Sequence, residues 1–204
     1  MSLNHVRRGT GSPLVLVHAL GGSVRSWDLV VDGLAAHREV IALDLPGFGA
    51  SPALPNTGVT TLTDALEEFL TEQDLRRADL VGTSLGGRIV LELVRRGVGR
   101  HTVALDPGGY WNGPERAYLV GSLRASIEAV RRLRPLLPAL AGNPVTRTAL
   151  LAQLSARPWA VSGDVVLREL RGLADDPGVD PALASLAAEP PQQGAAAGTD
   201  PGGS

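Results

Sequence analysis

The chain alternates short apolar runs with longer stretches of helical periodicity. Pro13–His18, Val40–Leu43, Ala78–Val81 and Thr102–Leu105 are apolar almost throughout. Runs that do not alternate with polar residues are, as strands, buried on both faces. Between them, Ser26–Ala36, Thr61–Gln73 and Leu85–Arg96 place apolar residues at helical spacing. Trp27, Val30, Val31 and Leu34 form one stripe; Leu62, Leu66, Phe69 and Leu70 form another. Strand and helix in regular succession predict an α/β fold, with a doubly wound, mostly parallel sheet carrying helices on both faces.

After Gly109 the pattern is helical alone. Pro114–Arg134, Pro144–Ser155 and Ser162–Ala174 read as helices. Asp180-Pro181 reads as an N-cap followed by a first-turn proline, opening one more short helix. Leu133, Leu136, Leu137, Leu140, Leu150, Leu151 and Leu154 give this region an apolar side, so it is expected to cover the sheet as a helical lid insertion. From Pro190 to Ser204 the chain is mainly Pro, Gln, Gly and Ala, with little to bury. The expected organisation is a core over residues 1–109, a helical lid over 110–189 and a flexible tail over 190–204.

Composition removes several chemistries. Among 204 residues there is no Cys, and all nineteen basic residues are Arg. A disulfide framework, a thiolate nucleophile, a Schiff-base lysine and a P-loop lysine are therefore excluded. The net charge of −2 supplies no electrostatic case for nucleic acid or an anionic membrane. No run is long and apolar enough to span a bilayer, and Leu14–Val17, although it follows Arg7-Arg8, is too short for a secretory segment. A cytoplasmic chain with a small-molecule partner, and neither cofactor nor metal, is the expectation.

The chemistry centres on Gly82-Thr83-Ser84-Leu85-Gly86. G-x-S-x-G alone is a weak signal in a Gly-rich chain; its setting between an apolar strand and an amphipathic helix is the stronger one. Small residues allow a strained turn that lifts the Ser84 hydroxyl above the sheet edge, and the helix that follows aims its positive end at developing negative charge.

With these residues the chain resembles the α/β-hydrolases, in their lidded, esterase-like and C–C-hydrolase-like branch. Four segments carry the likeness: Leu14 to Gly22, Trp27-Asp28, Asp44-Leu45-Pro46-Gly47-Phe48-Gly49-Ala50-Ser51, and Val81 to Gly87. Ala19 stands where the family usually has Gly. The resemblance implies Ser84 as nucleophile and the backbone N–H groups of Leu20 and Leu85 as oxyanion hole. It gives Asp44 a turn-shaping role beside the site and implies hydrolysis of an ester, thioester, lactone or C–C bond. Asp at the elbow, as in haloalkane dehalogenases and epoxide hydrolases, is absent.

The rest of the triad is harder to place. The family order is Ser, acid, His. Asp106, at the end of the fourth predicted strand, is the candidate acid; capping the Pro107-Gly108-Gly109 turn is its alternative role. The one histidine after Ser84, His101, begins that strand and so lies about 16 Å from the top edge, at ~3.3 Å per residue. His18 is at the right edge but is expected to hold the oxyanion loop. The expectation is an incomplete, weakly active or inactive fragment; a non-catalytic small-ligand module is the alternative. A dinucleotide site is excluded because no G-x-G-x-x-G follows the first strand. The leucines of the lid, with Tyr110, Trp111 and Trp159, point to an apolar acyl or aromatic substrate.

Overall fold

The computed structural model describes residues 2–152 and 154–193. The predicted tail from 194 onward lies outside the described residues. Five strands form one sheet: β1 (His5–Arg8), β2 (Pro13–Val17), β3 (Glu39–Leu43), β4 (Asp79–Thr83) and β5 (Thr102–Leu105), ordered β1-β3-β2-β4-β5. All neighbours are parallel except β1, which pairs antiparallel with β3 from His5↔Leu43 to Arg8↔Val40. The predicted class is therefore the observed one, with β1 added. The sequence HVRR carries little apolar signal because β1 is an edge strand. Its arginines pair with Glu39 (3.0 Å) and Asp32, which is also how a charged edge resists pairing with another chain.

Both faces of the central strands are covered, which explains their unbroken apolar sequences. Val15, Val17, Ile41, Leu43 and Leu80 pack beneath α2 (Val59–Glu72) and α3 (Leu85–Arg95). Leu14, Leu16, Val40 and Ala42 pack on the other face against Trp27 and Val31. The helix expected over Ser26–Ala36 is broken into a 3-10 turn, Val24–Trp27, and a short α1, Val31–Ala35. Ser23 caps the turn through the Arg25 N–H, and the intervening Leu29 and Val30 are exposed. At the far edge β5 is different: Val103 and Leu105 are 51% and 46% exposed.

The helical segment contains α4 (Gly113–Arg132), α5 (Leu137–Gly142), α6 (Pro144–Leu151), α7 (Gly163–Asp175) and α8 (Val179–Ala188). Its packing divides. Val130, Leu137, Ala141, Leu151, Val166 and Leu170 form a separate cluster. Val179, Ala182, Leu183 and Leu186 of α8 instead join the main core. At the start of α2 the Val59 N–H donates to Ser185 Oγ (3.0 Å) and Glu189 Oε1 (3.1 Å). The cap of α8 differs from the expected one: Gly178 is the N-cap, and Asp180 lies in the first turn, ion-paired with Arg131 at 3.0 Å. Phe48 packs over Gly178, leaving no room there for a Cβ. Among the described residues no helix is long and apolar enough to cross a membrane.

Candidate active site

The strand–turn–helix β4–Ser84–α3 is as tight as its glycines require. A Cβ on Gly82 would meet Gly86 O at 2.2 Å, and one on Gly86 would meet Val17 O at 2.3 Å. The start of α3 is thus pressed against both its own strand and the end of β2. Ser84 takes φ 51, ψ −109, a left-handed backbone for a residue with a Cβ. Such a conformation costs about 1–3 kcal/mol and is held only where surrounding structure enforces it. Here the Ser84 N–H donates to Leu105 O (2.9 Å), while Ser84 O accepts from Arg88 N–H (3.0 Å) and Gly108 N–H (3.3 Å). The register Thr83↔Leu105 sets Asp106, itself at φ 47, beside Ser84.

A cavity of about 630 Å³ opens above this turn. Ser84, Leu20, Leu85 and Asp106 all line it, with leucines and valines of α4, α6 and α7 opposite. The structure therefore brings together the four residues predicted for the site. Trp111 lines the cavity too, whereas Tyr110 and Trp159 are exposed elsewhere, at 60% and 59%. The N–H of Leu85 is in the first turn of α3, where backbone donors have no partner within the helix. In the Leu20 loop the positive φ falls on Gly21 (φ 73), so Ala19 adopts its place without left-handed strain.

Loop-shaping residues are fully committed. His18 is buried; its Nε2 accepts from the Leu45 N–H at 3.0 Å, so Nδ1 carries the proton and donates to Ala19 O at 2.7 Å. Burial pushes the His18 pKa down, against the Ala19 carbonyl and Asp44, and keeps the ring neutral. Asp44 accepts from Val24 N–H (2.6 Å), Ala50 N–H (2.8 Å) and Asn4 Nδ2 (2.7 Å), which locks the loop after β3. His101 sits at the opposite sheet edge, bound to Asp79 at 3.0 Å. Burial alone would raise Asp79, but Arg100, Arg38 and His101 outweigh it and hold its carboxyl well below the usual range. None of the four histidines lines the cavity.

Glu169 escaped sequence reasoning, although it lines the cavity. The available signal was its spacing: it falls between Val166 and Leu170 on the apolar stripe of α7, where a carboxylate has no packing role. Burial raises its pKa, opposed by the Ser26 hydroxyl and Arg168 and reinforced by Asp28 and Asp176. Among the described residues no group of three or more His, Asp or Glu is placed to hold a metal ion.

Residues 14–202 match the model of the alpha/beta hydrolase family, and the chain belongs to that family. It is 32% identical over 166 residues to the dihydrolipoyllysine-residue acetyltransferase component of the acetoin cleaving system of Pseudomonas putida, covering 78% of this chain and 44% of that protein. Over 93 residues it is 40% identical to 2-hydroxy-6-oxo-2,4-heptadienoate hydrolase of Pseudomonas putida, covering 43% of this chain and 34% of the relative. The chain thus spans less than half the length of these relatives. Its fold is similar to a thermophilic esterase from Thermogutta terrifontis, with TM-score 0.69 and 22% identity, over 93% of this chain and 68% of that one. What these likenesses share with this chain is the alpha/beta hydrolase family and its fold.

Proposed function

We propose that the chain carries the nucleophile and oxyanion hole of a serine hydrolase acting on a carboxylic ester or related carbonyl substrate. In this reading Ser84 Oγ attacks the carbonyl carbon. The Leu20 and Leu85 N–H groups receive the oxygen as it becomes negative, and Asp106 is the acid that orients a base. One observation carries the reading: Ser84 is held at φ 51 on the wall of an apolar cavity of about 630 Å³. The relative named as a 2-hydroxy-6-oxo-2,4-heptadienoate hydrolase, whose substrate carries an oxo group, supports a carbonyl substrate.

Turnover by this chain alone is expected to be weak, because no histidine reaches Ser84. Without its base a serine site retains only binding and oxyanion stabilisation, a small part of what an intact triad supplies. Hydrolysis of p-nitrophenyl butyrate should run close to background, and Ser84→Ala should change it little. Slow adduct formation with a fluorophosphonate, seen by intact mass and lost in Ser84→Ala, is the expected sign of the nucleophile. Robust turnover abolished by Ser84→Ala would overturn the expectation of weak activity. The combination of a formed cavity and a missing base favours a second reading, a non-catalytic module that binds a small ligand. Ligand binding without any fluorophosphonate adduct would select it.

A further inference from the structure

The cavity has a charge pattern that attack by Ser84 does not use. Most of its wall is apolar. Among the described residues its ionisable side chains are Asp106, beside Ser84, and Glu169 on α7, and no arginine lines it. Glu169 is held in place. The Ser26 hydroxyl lies 3.1 Å from both of its carboxylate oxygens, and Ser26 Oγ in turn accepts from the Ser23 N–H at 3.1 Å. The hydroxyl proton is therefore the one pointed at Glu169.

Arg168 offsets the charge only in part. Its Nε is 3.9 Å from Glu169 Oε1, but its guanidinium donates to Arg25 O (3.1 Å), approaches Asp28 (3.5 Å) and does not line the cavity. A carboxylate has about four acceptor sites, and one serine hydroxyl cannot fill them. A third of the Glu169 side-chain surface (33%) remains open.

We propose that Glu169 determines specificity, selecting substrates whose apolar body ends in a hydrogen-bond donor, an ammonium or hydroxyl group, and rejecting those that end in a carboxylate. The inference rests on reading this cavity as the substrate site. A carboxylate entering it would lose water in an apolar enclosure that offers two acidic side chains and no cation. An ammonium group would exchange water for a charge-assisted hydrogen bond. A hydroxyl would gain the bond without the charge and so fall between them.

Three probes with one apolar body separate these cases: 4-phenylbutylamine, 4-phenylbutanol and 4-phenylbutyrate. Each is titrated calorimetrically into the full 204-residue chain at pH 8 and into Glu169→Gln, which keeps the shape and an acceptor for Ser26. The amine is expected to bind at least about tenfold more tightly than the acid, with the alcohol between, since hydrogen bonds to charged groups are worth that much. In Glu169→Gln the preference for the amine over the acid should shrink at least about threefold, Asp106 retaining the remainder. An acid that binds wild type as tightly as the amine does overturns the inference even if the variant fails to fold. So does an amine-over-acid preference unchanged in Glu169→Gln, or failure of all three probes to bind at millimolar concentration. Fluorophosphonate labelling, run alongside, reports on Ser84 separately: a charge preference without labelling would sink the hydrolase reading and leave this inference standing.

Discussion

Gly172→Ala sets two effects of opposite sign against each other. Gly172 lies inside α7, where replacing Gly with Ala ordinarily stabilises a helix by about 1 kcal/mol. A Cβ at this position, however, would come within 2.0 Å of the Gly21 carbonyl oxygen. Carbon–oxygen contacts settle near 3.3 Å, so helix and loop must part by roughly 1.3 Å. The obstructing atom is backbone and cannot swing aside, and overpacking of this kind costs typically ~1–3 kcal/mol. Steric conflict should exceed the propensity gain, for a net loss of about 1 kcal/mol. In a chain of this size that lowers Tm by about 2–4 °C. Gly21 immediately follows Leu20, so displacement of the loop should also slow fluorophosphonate labelling of Ser84. Thermal denaturation followed by circular dichroism, with labelling rates on the same samples, tests both. A Tm that rises by the amount expected for a free helical surface would refute the contact between α7 and the loop.

Two further outcomes are expected. Burial, with Asp44 and Asp175 nearby and against the Gly49 N–H, pushes the Asp176 pKa up to about 6. Its unfolded value is near 3.9, so the native state binds the extra proton between about pH 6 and 4 and stability rises as pH falls through that window. After solvent screening the gain is on the order of 1 kcal/mol; denaturant titrations at pH 7 and 5 should show it in wild type and not in Asp176→Asn. On the exposed edge strand, Val103→Lys should leave Tm nearly unchanged, because Val103 is 51% exposed, while reducing self-association in sedimentation velocity. Equal association of both proteins would show that β5 is not the sticky edge.

The parallel sheet was legible because its central strands are buried on both faces and carry uninterrupted apolar runs. Thr102–Leu105 was found with the same bounds. β1 was invisible for the opposite reason: an edge strand that ends in ion pairs needs no apolar code. The Asp180-Pro181 cap was misplaced because tertiary packing of Phe48 on Gly178 started α8 earlier, and Asp180 was drawn to Arg131. At the site, the glycine spacing around Ser84 encodes a local turn, which a single segment can announce. Asp106 could be placed because register with the neighbouring strand is implied by parallel topology. Glu169 was missed because its role depends on which loop α7 rests upon, and sequence spacing in one helix does not name a partner 143 residues away.

The cap at the start of α2 has a consequence for synthesis. The Val59 N–H is satisfied by Ser185 and Glu189, 126 and 130 residues later in the chain. At ~5–20 residues per second, roughly 6–26 s separate the emergence of the two partners. Sheet pairing from β2 to β5 can proceed during that interval, but the first turn of α2 stays frayed and the apolar surface reserved for Leu183 and Leu186 stays wet. The nascent chain therefore passes through a period in which a formed sheet displays an unfinished core, and the ribosome's pace over the α4–α7 coding region sets the length of that period.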